Sequence, residues 1–310
     1  MKVIITGASG VLGTAVYAAF NNAGHNVLGL AHSRAGNGLV KLDLLDQPAV
    51  ENAFADFKPD SERRPDVAEK DPDATQKLNA ELPARLAQLA PTLKFHLVYI
   101  STDYVFDGTA APYAPATTPN PVNLYGRTKR DGELAVLAAR AAGADAIVLR
   151  VPVLYGPAPK NSDTAVNILI DVVEDQSGKQ YKMDHYATRF PTNVVDIAAF
   201  LPTGIVPPPP SAPSALQKPI PPVLHYSASE PFTKYEMCLV FAQLLGLSHA
   251  HIVADAEVPT GAAAISRPRN CQLNTAETEA LLGGPGSLEC SIFEEWWAEN
   301  LKGGSAGMSK

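Results

Sequence analysis

Tyr125 and Lys129 stand four residues apart in NLYGRTKRDGE, a stretch that reads as a helix opening at Asn123 and running to about Ala142. This spacing puts a phenol and an ammonium on one helix face. There the positive charge stabilises phenolate and makes the tyrosine a usable proton donor or acceptor near neutral pH. The same lysine suits a cofactor ribose. Upstream, the strand-like run FHLVYI leads into Ser101 and Thr102, and a hydroxyl from Thr102 can polarise a carbonyl. On a plain helix the tyrosine and lysine would be only a solvated pair, so their chemistry depends on what the rest of the chain brings beside them.

The first thirteen residues, MKVIITGASGVLG, supply a partner for that chemistry. Val3, Ile4 and Ile5 form a β-branched run suited to a strand buried on both faces of a parallel sheet. Gly7, Gly10 and Gly13 follow at a three-residue spacing, and Val11 to Gly24 reads as a helix with Leu12, Val16 and Phe20 on one face. Such a strand, turn and helix needs glycine where the backbone bends, where a pyrophosphate approaches and where helix packs on strand. The unpaired N–H groups at the helix start then favour a phosphate. A dinucleotide site is the expectation.

The elements that follow fit a doubly wound α/β fold. His25 to Ala31 reads as a second strand, after which Arg34 stands where a dinucleotide site selective for NAD carries an acidic residue. The arginine favours NADP over NAD. Leu39 to Leu42 reads as a short third strand, with Asp43 and Leu44 beside an adenine edge, and Asp46 caps a helix from Gln47 to Phe57. No run of four apolar residues then appears before Phe95, so the fourth strand of the sheet is apparently lacking and an open or distorted dinucleotide site is expected. From Asp71 or Pro72 to Ala90 the chain reads as helix, with Pro83 a kink or break.

Beyond Arg150, Met183, Asp184, His185, Arg189 and Phe190 fall between helices, and Arg267 and Arg269 flank Pro268. His185, Arg189, Arg267 and Arg269 are candidates for a substrate cleft, because guanidinium groups suit anions; the alternative is internal ion pairing. Leu201 to Pro222 is dense in proline and reads as an extended loop. Thr233 caps a helix from Lys234 to Leu245 closed by Gly246, and a last helix spans Ser291 to Leu301. The divisions expected are 1–150 for dinucleotide binding, 151–301 for a mixed region with a small C-terminal lobe and a proline-rich insert at 202–222, and 302–310 for a disordered tail.

Composition narrows the function classes. The 310 residues are 46% hydrophobic, enough for a sizeable core, and carry a net charge of −7 with no basic block, against a nucleic-acid surface. Cys238, Cys271 and Cys290 form no CxxC pair and read as reduced thiols of a cytoplasmic protein. No stretch is apolar for long enough to span a bilayer, no signal peptide precedes the first strand, and no metal-ligand spacing occurs.

TGASGVLG, STDYVFDG and YGRTK together resemble the extended short-chain dehydrogenase/reductase family, in its dTDP-4-dehydrorhamnose reductase-like branch. Within that branch ERRPDVAEKDPDATQKLN, LRVPVLYG, MDHYATRFPTNVVDIA and RPRNCQLN are similar to the regulatory β subunits of methionine adenosyltransferase. The resemblance implies a Rossmann-type doubly wound parallel sheet with a small C-terminal lobe. It implies NADP contacts from Gly7, Gly10, Val11, Leu12, Gly13, Arg34, Asp43, Tyr125 and Lys129, and a reductase triad of Thr102, Tyr125 and Lys129. It further implies a regulatory subunit that partners the catalytic methionine adenosyltransferase subunit in S-adenosylmethionine synthesis, the alternative being an NADPH-dependent nucleotide-sugar reductase.

Overall fold

Alternation along the strands decides the layers. Val3 and Ile5 face one side of the sheet and Ile4 the other; Val98 and Ile100 oppose Leu97 and Tyr99, and Ile147 and Leu149 oppose Ala146 and Val148. With both faces apolar, each must be covered by helices. The computed structural model describes residues 1–32, 34–36, 38–59, 61–63, 72–205, 219–260 and 268–304.

The first half runs β1 (Lys2–Thr6), α1 (Val11–Asn22), β2 (Asn26–Ala31), β3 (Val40–Lys41), α2 (Gln47–Phe57), β4 (Ser61–Arg63), α3 (Pro72–Gln76), α4 (Leu82–Leu93), β5 (His96–Thr102), α5 (Leu124–Ala141) and β6 (Ala146–Val151). The second half runs β7 (Leu154–Tyr155), α6 (Ile168–Glu174), β8 (Tyr181–Asp184), β9 (Thr192–Asn193), α7 (Val194–Gly204), β10 (Val223–His225), α8 (Lys234–Leu245), β11 (Ile252–Asp255), α9 (Ala276–Leu282) and α10 (Phe293–Gly304). The main sheet is seven-stranded and parallel, in the order β10-β6-β5-β4-β1-β2-β3. Leu12, Val16 and Phe20 of α1 pack with Ile197 and Leu201 of α7 on one face. Val50 and Phe54 of α2, Leu86 and Ala90 of α4 and Val136 of α5 cover the other. A third cluster, including Tyr155, Leu169, Met237, Phe241, Phe293 and Trp297, joins α6, α8 and α10.

The sheet does not lack its fourth strand. Ser61–Arg63 fills the central position as β4, pairing Val3, Ile4 and Ile5 on one side and His96, Leu97 and Val98 on the other. A ladder is made by backbone groups, so three residues with no apolar pattern can complete it where a periodicity search finds nothing. Leu97 N–H donates toward β6, to Asp145 O at 2.9 Å, so by alternation the Ile100 carbonyl points to the other side of β5, the side of β4. Lys129 Nζ donates to that carbonyl at 2.7 Å.

Two prolines are absorbed rather than breaking their helices. Lys77–Glu81 forms a π-helical turn between α3 and α4, and Pro83 sits in the first turn of α4. Pro83 cannot donate to the Asn79 carbonyl, which instead accepts the Tyr99 hydroxyl at 2.7 Å and ties the helix to β5. Pro202 lies inside α7, correcting the expectation that the helix stops before the proline-rich stretch. Ile197, Leu201 and Ile205 continue one buried stripe, and that burial outweighs the lost N–H. Residues 206–218 of the proline-rich insert fall outside the described residues. α10 runs to Gly304, past the helix end expected at Leu301; the rest of the expected tail, 305–310, is not among the described residues.

A buried polar knot fixes α5 against the sheet. Arg150 of β6 donates from Nε and Nη2 to the two carboxylate oxygens of Glu133 at 2.9 and 2.8 Å, and from Nη1 to Pro115 O at 3.1 Å. Nη1 also lies 3.2 Å from His225 Nε2, and His225 Nδ1 lies 3.0 Å from Asn274 O. Because Arg150 can only donate, the partners assign the neutral tautomer with its proton on Nδ1. Burial, then the guanidinium beside it, hold the imidazole down at about 3.

Candidate functional site: a cavity at the ends of the parallel strands

The β1–α1 turn is built for close approach. Gly7 has φ 66°, a conformation natural to glycine, and the Gly10 N–H donates back to Gly7 O at 2.9 Å. A Cβ on Gly10 would stand 3.2 Å from that oxygen. As N-cap of α1, Gly10 offers no side chain to the first turn, which also contains no acidic residue, so its N–H groups suit an incoming anion.

This turn opens on a cavity of about 860 Å³, of a size that holds an extended ligand. Gly7, Gly10, Val11, Leu12, Arg34, Asp43, Thr102 and Tyr125 all line it, so the structure brings most of the sequence-selected residues together. Gly13 is buried within α1, where it serves packing. Leu44 lies beside Asp43 on the wall, and His32 Nε2 stands 3.8 Å from Asp43 Oδ2 at an exposed edge.

The residues of the expected triad differ in how they meet the cavity. Tyr125 lines the cavity, its ring edge-on to Tyr104 at 6.3 Å. Lys129 is 1% exposed, bonded to Ile100 O and 4.7 Å from the centre of the Tyr99 ring, and is not among the lining residues. Thr102 lines the wall, but its Oγ1 donates to Asp103 Oδ1 at 3.0 Å and accepts from Tyr104 N–H at 3.2 Å. The hydroxyl therefore caps the short turn after β5.

Sequence reasoning missed Asp103, Ser101 and Asp163, which also line the cavity. Burial drives the Asp103 carboxyl up to about 7, against the pull of the Thr102 hydrogen bond and the charge of Arg189. Its place directly after Thr102 in STDYV was the available signal. The Ser101 Oγ is buried with no hydrogen-bond partner among the described residues, an orphaned polar atom in the wall. Nothing local marks Asp163, whose carboxylate accepts from Arg34 at 2.7 Å across 129 residues of chain.

The other candidates lie elsewhere. Met183 and Asp184 fall between α6 and α7, as expected, in the strand β8. Arg189 is 8% exposed, and its Nη2 pairs with Asp184 Oδ2 at 2.7 Å; burial opposes that charge, yet Arg189 and two backbone N–H groups hold the Asp184 carboxyl below its usual range. This is the internal ion pair that the sequence left as one of two readings. His185 Nδ1 is 2.9 Å from the Thr233 hydroxyl, the residue that caps α8, and Arg269 stands over the Tyr186 ring at 5.8 Å. None of the three lines the cavity, and Arg267 lies outside the described residues. Among the described residues there is no cluster of three potential metal ligands, and no helix is long and apolar enough to cross a membrane.

With this geometry in view, likeness to known proteins becomes informative. The RmlD substrate binding domain family matches residues 1–288. Methionine adenosyltransferase 2 subunit beta of Xenopus tropicalis is 40% identical over 304 residues, covering 96% of this chain and 87% of that protein. Among solved structures, a dTDP-4-dehydrorhamnose reductase of Clostridium acetobutylicum superposes with a TM-score of 0.77 at 22% identity, covering 98% of this chain and 100% of that one. The same-named enzyme of Bacillus anthracis, solved in complex with NADP, gives 0.75 at 20% identity, covering 97% and 99%. The two reductases share the fold, a Rossmann-like parallel α/β sheet. The chain belongs to the RmlD substrate binding domain family and, within it, to the methionine adenosyltransferase 2 beta-subunit family.

Proposed function

We propose that this chain is a regulatory subunit that binds NADP in the cavity and docks on the catalytic subunit of methionine adenosyltransferase, supporting S-adenosylmethionine synthesis. One observation carries the reading beyond the family. The phosphate turn and cavity are built for a dinucleotide, while Thr102 and Lys129 engage their polar atoms with Asp103 and Ile100 O. The binding wall is kept, while two of the three residues expected to act on a carbonyl also hold polar groups of the protein itself. The residues fit the nucleotide: the bare start of α1 takes a pyrophosphate, Asp43 stands where adenosine would lie, and the Ser101 hydroxyl awaits a partner.

When bound in reduced form, the nicotinamide would supply hydride, and Tyr125 is the residue here placed to hand a proton to a carbonyl oxygen. That placement is what favours the second reading, a nucleotide-sugar reductase. Size-exclusion chromatography of the purified chain with the catalytic synthetase tests the first. Co-elution, kept in Tyr125→Phe, is expected, since docking needs no proton donor. Failure to co-elute, together with steady NADPH oxidation on a dTDP-4-keto sugar that Tyr125→Phe abolishes, would establish the reductase instead.

A further inference from the structure

Arg34 is the only arginine or lysine among the described residues that line the cavity. It follows β2. Its partner Asp163 closes the short turn Asn161–Asp163 after β7, and Nη1 donates to Oδ2 at 2.7 Å. The arginine is half exposed and the aspartate mostly covered. The pair thus spans the rim, joining the nucleotide-binding half of the chain to the segment leading into α6. That segment is itself tied down, because Asn161 Nδ2 donates to Asp171 Oδ1 at 2.6 Å.

We infer that Asp163 is a specificity-determining residue of this site, competing with a 2′-phosphate for Arg34. The inference rests on the dinucleotide reading and deepens it. A phosphate monoester is close to doubly charged at neutral pH and binds a guanidinium through two parallel hydrogen bonds. Arg34 can offer that fork only by giving up or sharing Asp163, whose carboxylate then faces the phosphate at short range. A 2′-hydroxyl meets no such opposition, since a carboxylate accepts its hydrogen bond. Arg34 therefore favours the phosphorylated ribose and Asp163 subtracts from that preference. Phosphate binding also frees the Asn161–Asp163 turn from the rim.

The test is titration calorimetry of the full chain and of Asp163→Asn with NADP⁺ and NAD⁺, repeated with 2′,5′-ADP and 5′-AMP. An exposed ion pair is weak, so the expected rise in the NADP⁺:NAD⁺ affinity ratio on Asp163→Asn is about two- to fivefold. The gain should come from the phosphorylated ligand and vanish in the Arg34→Ala background. The inference is overturned by an unchanged ratio, or by equal gains for both nucleotides, in a variant whose thermal midpoint matches the parent. If the parent binds neither nucleotide, the dinucleotide reading falls and this inference with it; if it binds both and the ratio stays fixed, only this inference falls. Asp163→Ala serves as the second variant should Asp163→Asn misfold, with the same expected ratio.

Discussion

Two arginines of the molecule work under opposite physical regimes. Arg150 is 2% exposed, forked onto Glu133, bonded to Pro115 O and stacked 5.0 Å from the Phe106 ring centre. Arg34 meets one carboxylate at a wet rim. In the interior a charge is tolerated only when every donor is matched, so Arg150 cannot change partners and fixes α5, β6 and the loop at Pro115 as one body. At the rim water stands in for a lost partner, so Arg34 can exchange one anion for another at little loss. The interior around Arg150 is rigid by necessity, and the exchangeable charge lies at the cavity rim.

Four measurements would break or sharpen that contrast. The largest effect is expected from Glu133→Ala, which strands the Arg150 charge in the interior; loss of about 3–5 kcal/mol in denaturant unfolding is predicted. A loss below about 1 kcal/mol would mean that the knot is not a fixed point. Next comes Gly132→Ala, whose Cβ would stand 2.1 Å from Asn79 O and 2.6 Å from the Tyr99 hydroxyl, prying α5 from the π-helical turn. Overpacking of about 1–3 kcal/mol should appear in the thermal midpoint.

The third measurement uses pH. His225 is held at about 3, below the 6.5 of the free side chain, so the unfolded chain takes up the extra proton. The stability its neutral form contributes is full above pH 6.5 and drains as pH falls toward 3, at up to about 1.4 kcal/mol per pH unit. Asp103, raised to about 7, binds its proton in the folded state and offsets that slope over much of the same interval. The signal is therefore the difference between His225→Gln and the parent from pH 6.5 to 5, where the variant should lose less stability on acidification. Identical slopes would contradict the assignment of a neutral, buried imidazole. The smallest effect is expected from Arg34→Ala, within about 0.5 kcal/mol of the parent in the same unfolding assay. A loss matching that of Glu133→Ala would erase the distinction between interior and rim.

Local chemistry was legible in the sequence; long-range pairing was not. Asp46 caps α2 through Ala49 N–H at 3.1 Å, Thr233 and Glu236 make a capping box at α8, and Gly246 ends that helix at φ 66°, each fixed by neighbours in the chain. The glycine turn and Tyr125 likewise followed from spacing. β4 escaped because backbone pairing leaves no side-chain period to read in SER. Asp163 escaped because its partner lies 129 residues away. The bond from Lys129 to the Ile100 carbonyl spans 29 residues of chain, which the Tyr-Lys spacing does not encode.

The centre of the sheet joins two blocks. β1 pairs β2 from Lys2 to Thr6, and β5 pairs β6 from Leu97 to Thr102, and among the described residues the two blocks meet through Ser61–Arg63. The cavity draws its walls from both blocks, with Gly7, Gly10, Arg34 and Asp43 from one and Ile100 to Tyr104 and Val151 to Leu154 from the other. An occupant lying across it would act as a cross-brace, adding its own bonds to the ladder bonds of β4. Backbone amides of the two blocks would then gain protection from solvent exchange together when the cavity is filled.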